Sequence, residues 1–252
     1  MVDADLFAAY QRALGANADL AKAEVARLVA RLGGMTPQQQ ALFLMRNYPA
    51  LVRQFGSISA DVARQFYQDA RDAHFEGDED ATDYTAQAAK PVQTSWAQED
   101  LQKASRDGID TLPGIAVRRV MQRADQTISL NATRDPAHPR WAIVPHPGAC
   151  GWCVMVSSNG WAYSERGVNA QRHDNCKCSV CVDWDTKNPT LAGYDPDALR
   201  RRYRQGVEDA GDTWAKWQAL TPEERARYQR KGRSAYDVFK TTLIARAMEG
   251  RG

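Results

Sequence analysis

All five cysteines of the 252-residue chain fall within 32 positions, from Cys150 to Cys181. Cys150 and Cys153 form a Cys-x-x-Cys pair around a glycine, and His173 and Cys176 follow after 19 intervening residues with the same separation. Two such pairs about 20 residues apart can supply the four ligands of a tetrahedral metal site. Thiolate and imidazole groups suit zinc better than calcium or magnesium, which prefer oxygen ligands. The sequence therefore predicts one zinc site.

The candidate ligands are the cysteines and the histidine of this region: Cys150, Cys153, His173, Cys176 and Cys178. The fourth ligand is open among Cys176, Cys178 and Cys181, although His-x-x-Cys mirrors Cys-x-x-Cys and so favours Cys176. Cys181 is predicted to be a spare thiol or a buried apolar residue.

Other uses of the cysteines fit the sequence less well. An odd number of cysteines, in a chain whose acidic start lacks the apolar core of a signal peptide, counts against disulfides. A redox pair would need a strand–motif–helix context, which is missing. Four nitrogen and sulfur ligands close a zinc site, so a structural role is predicted. Glu165 could act as a base, but a solvent-exposed loop glutamate is the favoured interpretation.

Apolar residues at helical spacing predict helices in the first third of the chain, around Leu6 to Leu14 and Val25 to Leu32. Thr36-Pro37-Gln38-Gln39 predicts a helix start with a capping box. Pro49 is predicted to interrupt that helix, and a third helix is expected from about Ser59 to Ala73.

The rest of the chain alternates between segments with helical spacing of apolar residues and segments with no regular spacing. A helical pair is predicted at Trp96 to Ser105 and Ile115 to Leu130. Helices return after Pro196, and a capping box at Thr221 opens a segment expected to reach Ala247. Between these helical regions the sequence predicts three short β-like pieces: Trp141 to Val144, Val154 to Ser157 and Gly160 to Tyr163.

The predicted fold class is α+β and mostly α-helical, with helical N- and C-terminal regions around a small β-containing core held by zinc. Net charge is only +2, no apolar run is long enough for a membrane span, and residues 200–252 carry 13 basic against 7 acidic residues. The predicted division has four parts: an N-terminal helical region at 1–75, an acidic linker at 76–95, a helical pair with the Cys/His core at 96–195, and a basic helical region at 196–252.

Three stretches together resemble a known family. They are Pro147-Gly148-Ala149-Cys150-Gly151-Trp152-Cys153, Asn159-Gly160-Trp161-Ala162-Tyr163 and His173-Asp174-Asn175-Cys176-Lys177-Cys178. The combination resembles the head-morphogenesis proteins of tailed phages related to the Mu F minor head protein, in which a basic residue usually separates the last two cysteines, as Lys177 does. The chain is most similar to the minor capsid proteins of actinobacteriophages, and Cys181 departs from the usual pattern.

The resemblance implies a portal-associated minor capsid protein that acts in head assembly, DNA packaging or DNA delivery, and it does not imply catalysis. The implied location is the virion head, in its interior or at the portal vertex, after assembly in the host cytoplasm. The implied partners are the portal protein, with scaffold, major capsid protein and DNA as further contacts, and no membrane.

Two other functions stay open at this stage. A capsid maturation protease would use Ser157, Ser158 or Ser164 with His173 as base. A zinc-dependent nucleic-acid-binding or nuclease module is suggested by the paired cysteines and by His173-Asp174-Asn175, although the near-neutral charge counts against it.

Overall fold

The computed structural model describes residues 2–162, 172–230 and 233–250. The chain divides into two compact units, the first formed by Met1–His146 with Trp161–Tyr194 and the second by Pro147–Gly160 with Asp195–Gly252. Ser164, one of the three candidate nucleophiles, and Glu165, the candidate base at the metal site, lie outside the described residues. The four-part division at residues 75, 95 and 195 stays a prediction.

Helices make up most of the described chain, and its strands form one two-stranded antiparallel sheet, so the predicted fold class is confirmed. The first unit contains α1 (Ala4–Ala30), α2 (Pro37–His74), α3 (Thr94–Asp107), a 3-10 turn (Ile109–Thr111), α4 (Leu112–Arg134), β1 (Arg140–Val144) and β2 (Ser179–Asp183).

Helix α4 lies at the centre of the first unit and packs against α1, α2, α3 and β2. Six of its apolar side chains have no exposed surface: Leu112, Ile115, Val117, Val120, Met121 and Ile128. The predicted pair of helices is confirmed by α3 and α4, which begin and end a few residues beyond the predicted bounds.

Helix α2 is one continuous helix of 38 residues, so the predicted interruption at Pro49 is wrong. The capping box at its start is confirmed, with the Thr36 N–H donating to Gln39 Oε1 at 2.8 Å. Proline has no N–H and removes one backbone hydrogen bond. An apolar stripe nevertheless continues past it, with Tyr48, Val52 and Phe55 buried. Packing of this stripe outweighs the local cost of the proline.

Strands β1 and β2 pair with Arg140 opposite Asp183 and Ala142 opposite Cys181. The predicted strand at Trp141 to Val144 is therefore confirmed. Strand β2 is an addition that the sequence did not predict, because Cys181 makes this run look like the end of the cysteine motif. All five residues of β2 are buried.

In its described residues, the second unit contains five helices: α5 (Gly151–Ser157), α6 (Pro196–Ala210), α7 (Thr213–Gln218), α8 (Pro222–Ala226) and α9 (Ala235–Met248). The capping box at Thr221 is confirmed. The long segment predicted from Thr221 to Ala247 is wrong, because the chain turns at an isolated bridge between Arg230 and Arg233 before α9 begins.

The strand predicted at Val154 to Ser157 is also wrong, since these residues lie in α5. A short apolar run cannot distinguish a strand from a buried helix. Val154 packs into an apolar cluster with Ile244 and Met248, which a helix of two turns can reach. In the third predicted strand, Gly160 to Ala162 are irregular, and Tyr163 lies outside the described residues.

In the part of the chain that the structure describes, no helix combines the length and the apolar character that crossing a bilayer requires.

Candidate metal-binding segments

One group of candidate ligands lies in the first unit, on residues 172–178, which we call the knuckle. The backbone turns sharply at Asp174 and Asn175, and the Cys176 N–H donates to the His173 carbonyl at 3.3 Å. Asn175 has a φ of 62°, in the left-handed region that asparagine adopts more readily than most residues. The turn brings the backbone of His173 close to that of Cys176.

The knuckle lies against the first turn of α4. The Asn175 N–H donates to the Gly114 carbonyl at 3.0 Å. A Cβ atom at position 114 would lie 2.5 Å from Nδ2 of Asn175, which is closer than non-bonded atoms approach. A larger residue at position 114 would therefore require the Asn175 side chain to shift.

Three ion pairs connect the knuckle to the helices of the first unit. Asp174 accepts hydrogen bonds from Lys103 Nζ of α3 at 2.7 Å and from Arg118 Nε of α4 at 3.0 Å. Lys177 pairs with Asp19 of α1. Pairs that are partly exposed each add little stability. Together they fix the orientation of the knuckle on three helices.

A fourth ion pair, between Arg172 and Asp125 of α4, is buried beside Cys176. Both Nε and Nη2 of Arg172 donate to the Asp125 carboxylate, and Nη1 donates to the Cys176 Sγ at 3.4 Å. Burial alone would lower the pKa of Arg172, but Asp125 and the nearby cysteines outweigh it, and the pKa is raised. The guanidinium therefore stays charged.

This ion pair was not predicted from the sequence. Arg172 and Asp125 are 47 residues apart, so no local pattern connects them. One signal was present: a carboxylate at Asp125 interrupts the apolar face of α4 between Met121 and Ile128. A charge on a buried helix face points to a buried partner.

The other candidate ligands, Cys150 and Cys153, lie in the second unit. Cys150 is the N-cap of α5, and Cys153 lies in the first turn of this helix. Residues three apart lie on the same side of a helix. Cys153 is buried and Cys150 is partly buried. The spacing therefore presents both thiols on one side of α5.

Gly151, between these two cysteines, sets the position of α5 against α9. Its N–H donates to Glu249 Oε1 at 2.7 Å. A Cβ atom at this position would lie 2.1 Å from the Ala245 carbonyl oxygen, which belongs to the backbone of α9. Only glycine allows the two helices to approach this closely.

Two groups of three side chains could each hold a metal ion: Cys150, Cys153 and His173, and Cys153, Cys176 and Cys178. Sulfur and imidazole nitrogen are the donors that zinc prefers, so the donor set fits zinc. Which four side chains bind one ion stays a prediction.

Cys181 belongs to neither of these groups among the described residues. Its side chain is buried on β2, as predicted for a buried apolar residue. Burial, with the charge of Asp183 added, raises the pKa of the Cys181 thiol well above its usual range. The thiol is therefore neutral at pH 7 when no metal is bound to it.

His74, another histidine of the first unit, and Ser158, a candidate nucleophile, make contacts of a structural kind. The His74 ring, at the end of α2, lies 4.7 Å from the Phe75 ring and 5.9 Å from the Trp184 ring. Burial lowers the pKa of His74, so the ring is neutral at pH 7. The Ser158 hydroxyl donates to the Met155 carbonyl at 2.7 Å, within the last turn of α5.

The fold and these segments define a mostly helical protein with Cys/His groups that could hold a metal ion. The model of the VG15 protein family matches residues 1–206, and the chain therefore belongs to this viral family. The match includes the first unit, α5 and most of α6, and it ends before α7. Neither the curated proteins nor the solved structures gave a match to the chain.

Proposed function

We propose that the chain is a minor capsid protein of a tailed phage, similar to the Mu F-like head proteins, and that it acts structurally at the portal. Membership of the viral VG15 family carries this proposal. The spacing of Cys150, Cys153, His173, Cys176 and Cys178 supports it, because these residues carry the resemblance to head proteins. The protein would work in head assembly, DNA packaging or DNA delivery, in the head interior or at the portal vertex, after assembly in the host cytoplasm.

The proposed partner is the portal protein, with the scaffold and the major capsid protein as further contacts. Co-expression with the portal protein of the same genome tests this. We expect the chain to co-purify with assembled portal rings and to be present in mature particles in few copies. Absence of the chain from purified particles would contradict the proposal.

The same co-expression, with the major capsid protein added, distinguishes a structural protein from a maturation protease. A structural protein leaves the capsid protein at full length. If the capsid protein is cleaved, and this cleavage is lost in His173→Ala but kept in His74→Ala, the chain is a maturation protease and the structural proposal is wrong.

We further propose that four of the five candidate ligands bind one structural zinc ion. When four nitrogen and sulfur ligands surround zinc, no position is left for a substrate or a reactive water molecule. The knuckle and the Cys-x-x-Cys turn are each held by contacts within their own unit, through Gly114 and Gly151. Zinc would add cross-links to segments that are already positioned.

Metal analysis of the purified chain is expected to find about one zinc ion per molecule, as four ligands of this kind predict. Cys153→Ser should abolish zinc binding, because Cys153 belongs to both candidate ligand groups. The matched control is Cys181→Ala, which removes a buried neutral thiol outside both groups and should leave zinc bound. A zinc-free wild-type protein, or full zinc content in Cys153→Ser, would contradict the metal proposal.

A second candidate function, contact with DNA, is favoured by the turn between α8 and α9. Arg227, Arg230 and Arg233 are exposed there, and within the described residues no salt bridge joins them to a carboxylate. Cations of this kind neutralise phosphates and release counterions, which makes DNA affinity fall steeply with salt.

Replacing all three arginines with glutamine is expected to weaken DNA binding at low salt. The slope of log affinity against log salt should become shallower by about 1 for each phosphate that the variant no longer neutralises. Arg200→Gln is the matched control, because Arg200 already pairs with Asp197. Equal binding curves for the triple variant and the wild type, measured by fluorescence anisotropy, would remove DNA as a partner of this turn.

A further inference from the structure

The buried pair of Arg172 and Asp125 does more than hold the knuckle in place. Asp174 and Lys177 already connect the knuckle to α1, α3 and α4 through pairs that water still reaches. Arg172 and Asp125, by contrast, are removed from water. Burying two charges has a large desolvation cost, and an apolar pair of the same volume is often at least as stable. A contribution to stability therefore does not by itself explain why a charged pair is buried here.

The guanidinium of Arg172 is oriented by Asp125 and donates to sulfur. Two of its nitrogens bind the two carboxylate oxygens of Asp125, which fixes the plane of the group. The third nitrogen, Nη1, is then directed at the Cys176 Sγ, at 3.4 Å. A lysine could supply the charge, but it could not bind a carboxylate and a sulfur at fixed angles.

We propose that Arg172, oriented by Asp125, is a positioning residue for the zinc site: it donates a hydrogen bond to the Cys176 sulfur while that sulfur binds zinc. Cys176 is then one of the four ligands, a choice that the sequence left open. A hydrogen bond of this kind disperses the negative charge that several thiolates concentrate around one ion. This inference rests on the proposed structural zinc.

The residues that hydrogen-bond to metal ligands typically affect metal affinity by about 10- to 100-fold. Arg172→Gln keeps a polar side chain but removes the charge and the double contact with Asp125. We expect this variant to bind zinc about 10- to 100-fold more weakly than the wild type, and so to transfer its zinc faster to a colorimetric chelator. After cobalt substitution, its thiolate-to-cobalt charge-transfer band should shift. Arg172→Lys should transfer its zinc at a rate between those of the wild type and Arg172→Gln.

The matched control is Arg71→Gln. Arg71 forms a buried pair with Asp135 in the same first unit, with 2.8 Å between Arg71 Nε and Asp135 Oδ2, and the pair contacts no cysteine in the described structure. This variant should lose stability as a buried pair is broken. Below its unfolding temperature, however, its zinc-transfer rate and cobalt spectrum should match those of the wild type.

The outcomes separate this inference from the proposal on which it rests. Zinc-loaded Arg172→Gln with a wild-type transfer rate and cobalt spectrum overturns the role of Arg172 alone. A wild-type chain without zinc overturns both. If Arg172→Gln does not fold, the wild-type protein loaded with ¹¹³Cd gives the answer by nuclear magnetic resonance. A scalar coupling between cadmium and an Arg172 Nη1 proton is expected through the Cys176 sulfur, and its absence overturns the inference.

Discussion

Replacing Asp135 with alanine is expected to lower the free energy of unfolding of the first unit by about 3–5 kcal/mol. Its carboxylate is fully buried and accepts hydrogen bonds from Arg71 Nε at 2.8 Å, Trp184 Nε1 at 2.9 Å and the Tyr67 hydroxyl at 3.0 Å. Alanine leaves a buried guanidinium and two buried donors without this acceptor, which costs more than the hydrogen bonds themselves contribute. Urea unfolding measures the difference.

Glu24→Ala is the control for this experiment, because Glu24 pairs with Arg27 on the exposed surface of α1. Its effect should stay below about 1 kcal/mol. If Asp135→Ala is no more destabilising than Glu24→Ala, the buried network does not stabilise the unit.

The contribution of Asp135 should also depend on pH. Burial acts to raise the pKa of Asp135, but hydrogen bonds, first of all from Arg71, outweigh it and lower the pKa below its usual value. The stabilisation is therefore fully present above the ordinary aspartate pKa of about 3.9, and it is lost as the pH falls through the lower, folded-state pKa. Asp135→Asn should lack this pH-dependent part. An unchanged acid-unfolding profile for Asp135→Asn would contradict this assignment.

Gly151→Ala is expected to destabilise the second unit by about 1–3 kcal/mol or more, because the added methyl group would overlap the backbone of α9. Alanine normally stabilises a helix relative to glycine by about 1 kcal/mol. Here the sign should reverse, since a Cβ atom would lie 2.1 Å from the Ala245 carbonyl oxygen and a backbone cannot move aside as a side chain can. Thermal unfolding and amide exchange in α9 would measure the loss.

Gly15→Ala provides the opposite control. Gly15 lies within α1, and a Cβ atom there would have no atom within 4 Å. This variant should gain about 0.5–1 kcal/mol. If Gly151→Ala also raised the melting temperature, the close approach of α5 to α9 would be wrong.

Local signals in the sequence predicted most of the helices and both capping boxes. Thr36 with Gln39 and Thr221 with Glu224 satisfy backbone groups within four residues, so neighbouring residues determine them. The predictions that were wrong concern segments whose structure depends on packing against residues distant in the sequence. Pro49 stays inside α2 because Tyr48 and Val52 are buried against other elements, which the local rule for proline does not include.

The same distinction applies to the candidate ligands. The spacing of Cys150, Cys153 and His173 could be read directly, because metal ligands recur at short separations. The residues that position those ligands could not be predicted from the sequence, since Gly114 contacts Asn175 only after α4 and the knuckle have packed together. Arg172 and Asp125 likewise meet only in the folded chain.

Gly114 and Gly151 offer a criterion for recognising distant relatives of this chain. Cysteines at these separations occur in many unrelated zinc folds, so spacing alone selects too broadly. A more selective pattern adds three requirements: glycine between the first two cysteines, asparagine two residues after the histidine, and glycine at the start of the preceding long helix. These three residues take part in the backbone contacts that position the ligands. Chains that keep the cysteines but carry a larger residue at the position of Gly151 must place their ligands by a different route.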